Sequence, residues 1–180
     1  MLAVMQPKLR KNKMMIKELK KIEKLLFGTT LSQISNLIED EESNEYFGYN
    51  FQADNKNFKF RKSKITPKKV GQFVTLWKRN SKKETEPFSE SDNFDFCIVL
   101  TEESQNFGFF LFPKNELIKR QILSTKLKEG KRGFRVYPKW TKTENKQAEK
   151  TQIWQTNYFL DFTNENSETI KRLSEILTNK

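Results

Sequence analysis

Residues 94–112 read Phe94-Asp95-Phe96-Cys97-Ile98-Val99-Leu100-Thr101-Glu102-Glu103-Ser104-Gln105-Asn106-Phe107-Gly108-Phe109-Phe110-Leu111-Phe112. Two apolar runs, 94–100 and 107–112, flank a polar connection at 101–106. Successive side chains of a strand point to opposite faces, so a run that is apolar at consecutive positions suits a strand covered on both sides. The stretch therefore predicts an antiparallel hairpin at the centre of a sheet.

Weaker signals surround it. Residues 46–52 and 57–62 read as strands joined by the turn-like Ala53-Asp54-Asn55-Lys56. Thr66-Pro67 breaks the chain, Phe73 to Trp77 fits a strand or part of a helix, and residues 133–137 form a strand before Pro138. Ile16, Leu19, Ile22, Leu25 and Leu26 recur at helical spacing and are followed by Gly28, a C-cap residue. Leu31, Ile34, Leu37 and Ile38 fit a second short helix. A helix over 144–159 places Gln147, Thr151, Trp154 and Tyr158 on one face, and another over roughly 167–178 aligns Ile170, Leu173 and Leu177. The class expected is α+β, with a central, mostly antiparallel sheet flanked by N-terminal and C-terminal helices. Residues 1–14 read as a disordered leader and 15–180 as a single domain.

Only 35% of the 180 residues are hydrophobic, yet the chain holds 16 Phe, 4 Tyr and 3 Trp. Disordered chains lack such rings, so the sequence describes an aromatic core beneath a charged surface. His is absent and Cys occurs once. Those counts exclude an imidazole base, Ser-His-Asp and Cys-His nucleophiles, histidine metal ligands, an internal disulfide and a thiolate-built metal site. No cofactor or metal site is read from the sequence. No window approaches 18 consecutive apolar residues, and no apolar stretch follows the basic start, so neither a membrane span nor a signal peptide is expected. With one Cys, the expected location is cytoplasmic.

The long motifs carry a resemblance. Residues 61–77, Arg61-Lys62-Ser63-Lys64-Ile65-Thr66-Pro67-Lys68-Lys69-Val70-Gly71-Gln72-Phe73-Val74-Thr75-Leu76-Trp77, resemble the signature stretch of the MepB family. The likeness continues through Pro87-Phe88, Phe94-Asp95-Phe96, Gly108 to Lys114, Gly130 to Trp140, Gln147-Ala148 and Thr151-Gln152-Ile153-Trp154-Gln155, spanning about 45–160. Phe109 departs from it, standing where the family pattern has Gln. The resemblance implies a compact bacterial cytoplasmic domain and supplies no catalytic residue list.

The net charge of +11 falls in blocks. Residues 56–83 carry eleven bases and no acid, and 114–150 carry twelve bases and four acids. In the first block bases alternate with rings: on a strand, Lys59 and Arg61 share one face while Phe58 and Phe60 enter the core. Lys64, Lys68 and Lys69 follow; the second block adds Lys131, Arg132 and Arg135 beside Tyr137 and Trp140. Cations on rigid elements suit phosphates, and rings beside them suit unpaired bases. The expected partner is nucleic acid, DNA or RNA. The alternatives are a solvated lysine surface over core aromatics, or a nucleotide or small anion held in a pocket of Gln152, Gln155 and Arg135.

Asp95 lies in an apolar stretch and invites comparison with nucleases that hold magnesium between carboxylates on adjacent strands, beside a lysine such as Lys114. The second carboxylate is missing: Phe112 and Pro113 precede Lys114, and Glu42 and Glu45 are the remote substitutes. The expectation is a degenerate nuclease-like domain that binds without cutting or, if it is an enzyme, a metal-dependent hydrolase of nuclease type. Cys97 reads as an inert buried thiol.

Overall fold

The computed structural model describes residues 19–25, 33–40, 45–164 and 167–178. The leader expected at 1–14, Ile16, Leu26, the cap at Gly28, Leu31 and Glu42 lie outside the described residues.

The central hairpin forms as expected. β8 (Phe96–Glu103) pairs antiparallel with β9 (Asn106–Pro113) from Phe96↔Pro113 to Glu103↔Asn106, joined by Ser104-Gln105. To one side, β3 (Lys56–Lys62) runs parallel to β8. Beyond it come β2 (Tyr49–Ala53) and the edge strand β1 (Ser35–Glu39). Asp54 and Asn55, both at positive φ (46° and 59°), make the tight turn of the β2–β3 hairpin, a conformation these residues tolerate. On the other side, β11 (Phe159–Asp161) pairs with β9, completing six strands in the order β1-β2-β3-β8-β9-β11.

Alternation along the two central strands divides the core in two. Phe96, Ile98, Leu100, Phe107, Phe109 and Leu111 face one side, where a helical segment at 19–25 (α1) contributes Leu19 and Ile22. α4 (Ser167–Thr178) adds Leu173, Ile176 and Leu177 there. Cys97, Val99, Phe110 and Phe112 face the other side and meet a three-stranded sheet, ordered β10-β5-β4. Its members are β4 (Lys64–Thr66), β5 (Lys69–Thr75) and β10 (Gly133–Val136), with Val74, Phe134 and Val136 inward. A two-stranded ribbon, β6 (Trp77–Arg79) with β7 (Thr85–Pro87), extends that layer. Two further helices, α2 (Lys114–Lys119) and α3 (Lys146–Gln155), lie on the same side, with Leu117 and Trp154 packed into its core. The architecture is α+β, and its large sheet is antiparallel apart from β3–β8.

Two elements differ from expectation. The helix expected around Leu31–Ile38 is, in its described part, the strand β1: Ile38 pairs with Asn50 and Glu39 with Tyr49. Leu37 and Ile38 stay exposed, so no apolar helical face is being buried there, and the open edge of β2 decides the backbone instead. The helix expected to reach Phe159 stops at Gln155, and a 3₁₀ turn at Thr156–Tyr158 precedes β11. Phe159 pairs with Phe110 across the free edge of β9, and those ladder bonds replace the helical ones.

Candidate nucleic-acid interface

The antiparallel pairing of β10 with β5 joins the two basic blocks in one sheet. Its inward face holds the buried Val74, Phe134 and Val136 together with the hydrogen-bonded Gln72, so the alternate positions look outward, where Lys64 stands opposite Phe73 and Phe73 opposite Arg135. Rings and cations interleave along this row. Arg135 lies 5.8 Å from the Phe73 centroid, Phe73 meets Tyr46 edge-on at 6.3 Å, and the Lys64 ammonium sits 4.4 Å from the Tyr46 ring. Lys64 also touches the exposed Glu45 at 3.4 Å, a contact that water weakens.

Arg135 serves the sheet as well as the surface. Its Nη1 donates to the carbonyls of Lys69 (3.2 Å) and Gly71 (3.0 Å), and Nη2 to Thr66 Oγ1 (2.7 Å). It thereby closes the β4–β5 turn, which carries the exposed Lys68 and Lys69. Gly71, at φ 80°, leaves room for this closure: a Cβ there would come within 2.5 Å of the Tyr137 ring. At the far end of β10, Lys131 is exposed, and Arg132 donates to the Thr85 carbonyl while pairing with Glu129.

Three residues expected to contact an anion lie elsewhere. Arg61 is 0% exposed; it ion-pairs with Asp40 and donates to the Phe60 carbonyl. The strand alternation holds, but the face shared by Lys59 and Arg61 is roofed by the smaller sheet and the 88–94 segment. Lys59 shows the same enclosure: it donates to Asn50 Oδ1 at 2.9 Å beneath the rings of Phe88 and Phe94. Burial, reinforced by Arg61, pulls its ammonium pKa down to about 8. Gln155, 0% exposed, accepts from the Tyr137 amide and donates to the Arg135 carbonyl, both at 2.9 Å. Gln152 donates to the carbonyls of Pro138 and Thr141. Both glutamine amides and Arg135 thus bond the chain's own backbone, and the pocket expected from these three side chains is not assembled.

At the mouth of the central hairpin, Asp95 is exposed and precedes β8, so it carries no burial cost inside the strand. Its Oδ2 accepts the Asn57 amide at 2.7 Å, while its backbone carbonyl accepts the Lys114 amide at 2.8 Å. Asp95 and Lys114 are therefore neighbours, with the Lys114 ammonium turned to the Asp92 carbonyl beside the Phe94 ring. The nearby acid Asp92 is committed. Burial pushes its carboxyl pKa up, but Lys78 and the two Ser89 donors outweigh this and hold it below the usual range. Phe112, in the position a second acid would take, is 0% exposed in the aromatic core, and Glu45 sits against Lys64. Among the described residues no three His, Cys, Asp or Glu side chains gather as metal ligands.

The fold and its surface define a class: an α+β protein with a two-sided mixed sheet, an aromatic and cationic row outside its smaller sheet, and Asp95 and Lys114 joined through their backbones at the mouth of the central hairpin. The MepB-like family model matches residues 40–161, and the chain belongs to that family. A solved structure, the crystal structure of MepB, is 35% identical, with a TM-score of 0.73 over 82% of this chain and 97% of that one. No curated protein matches the sequence. Phe109, the departure from the family pattern, is fully buried and stacks on Phe162 at 5.3 Å, so here that position packs the terminal-helix side of the core. Among the described residues no helix is long and apolar enough to cross a membrane.

Proposed function

We propose that the protein is a cytoplasmic nucleic-acid-binding protein that grips phosphates with the outer face of its smaller sheet. The observation that carries this reading is the row Lys64–Phe73–Arg135, with Tyr46 beside it and the Lys68–Lys69 turn above. Cations supply sequence-independent affinity for the backbone, and rings held among them offer faces for unpaired bases. Lys131 and Arg132, immediately before β10, place further charge about four residues from Arg135, at most roughly 14 Å at ~3.4 Å per residue. Arg135, its Nη groups engaged by carbonyls and the Thr66 hydroxyl, acts as a fixed charge rather than a bidentate fork.

Asp95 and Lys114 give this reading its nuclease-like aspect, and the apolar Phe112 beside them argues for binding without cutting. The test is a gel-shift and polarisation series with single- and double-stranded DNA and RNA. Affinity should fall steeply between about 50 and 200 mM salt, and Lys64→Gln/Lys68→Gln/Lys69→Gln should flatten the salt slope by about one unit for each phosphate no longer neutralised. No shift with any nucleic acid at low salt overturns the reading. Magnesium- or manganese-dependent cleavage that disappears in Asp95→Ala would instead make the protein a hydrolase.

A further inference from the structure

The face of α3 that carries Gln147, Thr151 and Trp154 is not used by the smaller sheet. It forms one wall of an open groove of about 520 Å³, lined by Arg120, Lys146, Gln147, Lys150, Thr151 and Trp154. Lys146, Lys150 and Trp154 follow one another at four-residue intervals, so they stand one above the other on the helix surface. Arg120, the C-cap of α2, closes the groove over Trp154.

Arg120 is held in a particular way. Its guanidinium carbon lies 4.9 Å from the Trp154 ring, and its Nε donates to Glu116 Oε1 at 2.7 Å. Glu116 is buried, and Trp154 is itself packed on Phe112 at 5.5 Å. The plane of the guanidinium is therefore fixed from below and from one edge, leaving both Nη groups without a partner among the described residues. That arrangement prepares Arg for a two-oxygen ligand, because the fork loses little freedom on binding.

The lysines opposite it are placed against local preference. Lys146 opens α3, where the helix dipole disfavours a cation, and Lys150 sits one turn later, where two like charges repel. Among the described residues neither forms an ion pair. Three cations face a single contacting carboxylate, Glu116, so the groove keeps about two uncompensated positive charges. A dianion lodged among them turns both unfavourable placements into attraction, and sites that break local rules are where function is expected.

We infer that this groove is a binding site for a phosphate monoester, the terminal phosphate of a nucleic-acid strand or of a mononucleotide. Arg120 takes two phosphate oxygens in its Nη fork while Lys146 and Lys150 balance the second charge. A phosphodiester inside a strand carries one charge and offers fewer free oxygens, so the terminal group is preferred. As a strand-end subsite the inference rests on the nucleic-acid reading; as a mononucleotide site it stands alone.

The experiment compares a 5′-phosphorylated with a 5′-hydroxyl oligonucleotide by polarisation, a 3′-phosphorylated one alongside. Thermal shift with inorganic phosphate and with adenosine monophosphate against adenosine is run in parallel. The result expected is at least five-fold tighter binding of an end-phosphorylated strand, or stabilisation by the monophosphate absent with adenosine, abolished in Arg120→Gln and in Lys146→Gln/Lys150→Gln. The double lysine variant changes only exposed side chains, so it remains informative if Arg120→Gln, which strands Glu116, fails to fold. If hydroxyl-ended strands bind, end phosphates add nothing and the monophosphate has no effect, the groove assignment is overturned while the nucleic-acid reading survives. If no strand binds but the monophosphate stabilises the protein through these residues, the reverse holds. Equal ligand effects in the wild type and in a folded double lysine variant also overturn the assignment.

Discussion

The cations of the first basic block divide by surroundings rather than by type. Arg61 and Lys68 are seven positions apart; one is 0% exposed against Asp40, while the other is exposed on a turn. Arg61→Ala should destabilise the protein by about 3–5 kcal/mol in urea unfolding, because it leaves Asp40 without its buried partner. Lys68→Gln should leave the unfolding midpoint unchanged and lower nucleic-acid affinity; the opposite pattern would assign the surface role to Arg61. Lys59 gives a pH signature. Its pKa in the fold is about 8 against 10.5 for the free side chain, so from about pH 8 to 10.5 the unfolded chain binds more protons and stability rises with pH. Cys97 acts oppositely: burial lifts its thiol from 9.0 to about 11, and stability is lost as pH rises above 9. Between pH 8 and 9 the lysine acts nearly alone. The stability of the wild type relative to Lys59→Met should climb there by up to about 1 kcal/mol per pH unit. A flat difference would mean that Lys59 is solvated.

At the scale of elements, side-chain amides fasten the layers in a way that a sequence does not advertise. Gln155 satisfies an amide and a carbonyl at the end of β10, and Gln152 holds the loop after it, so α3 is tied to the smaller sheet by hydrogen bonds while Trp154 packs on Phe112 of β9. Gln155→Leu keeps the volume and orphans two backbone groups, at about 1–3 kcal/mol each. A loss of about 2–6 kcal/mol is expected, with accelerated amide exchange in residues 133–137 before any effect on β8 and β9. Exchange that rises uniformly would show that the clamp is not local. The sequence made the glutamines look like ligand-binding groups because a polar residue beside a Trp has that appearance. What distinguishes them is the unpaired strand end opposite α3, contributed by residues about twenty positions away. The alternation of Phe58 and Phe60 with Lys59 and Arg61 was legible in the same limited sense. It gave the strand and its two faces, but not the layer that roofs the second face.

For the whole molecule, Cys97 reports on integrity. It sits 0% exposed on a central strand, between the main sheet and the smaller one. With its thiol pKa raised, it should react with a disulfide reagent only through global opening, so the labelling rate at about pH 8 should track the unfolding free energy across destabilised variants. Fast labelling, independent of those variants, would reveal that the two layers separate locally. The same layering encloses Arg61 and Lys59, and leaves Lys64, Lys68 and Lys69 on the smaller sheet and Lys146 and Lys150 on α3 to meet solvent.

The sequence by itself determined the central hairpin, the aromatic core, the α+β class and the family. Each is written in patterns that neighbouring residues share: consecutive apolar runs, abundant rings and long motifs in order. It also set the catalytic limits, since a chain without His lacks imidazole in any fold. Only the tertiary structure decided which cations meet solvent, because burial belongs to the layer that lands on a strand and not to the strand. It turned Arg61 and Gln155 inward, set Lys64 and Arg135 on either side of Phe73, and brought Arg120 over Trp154 from 34 residues away. Those juxtapositions come from strand pairing and helix docking across long stretches of chain, which no local pattern encodes.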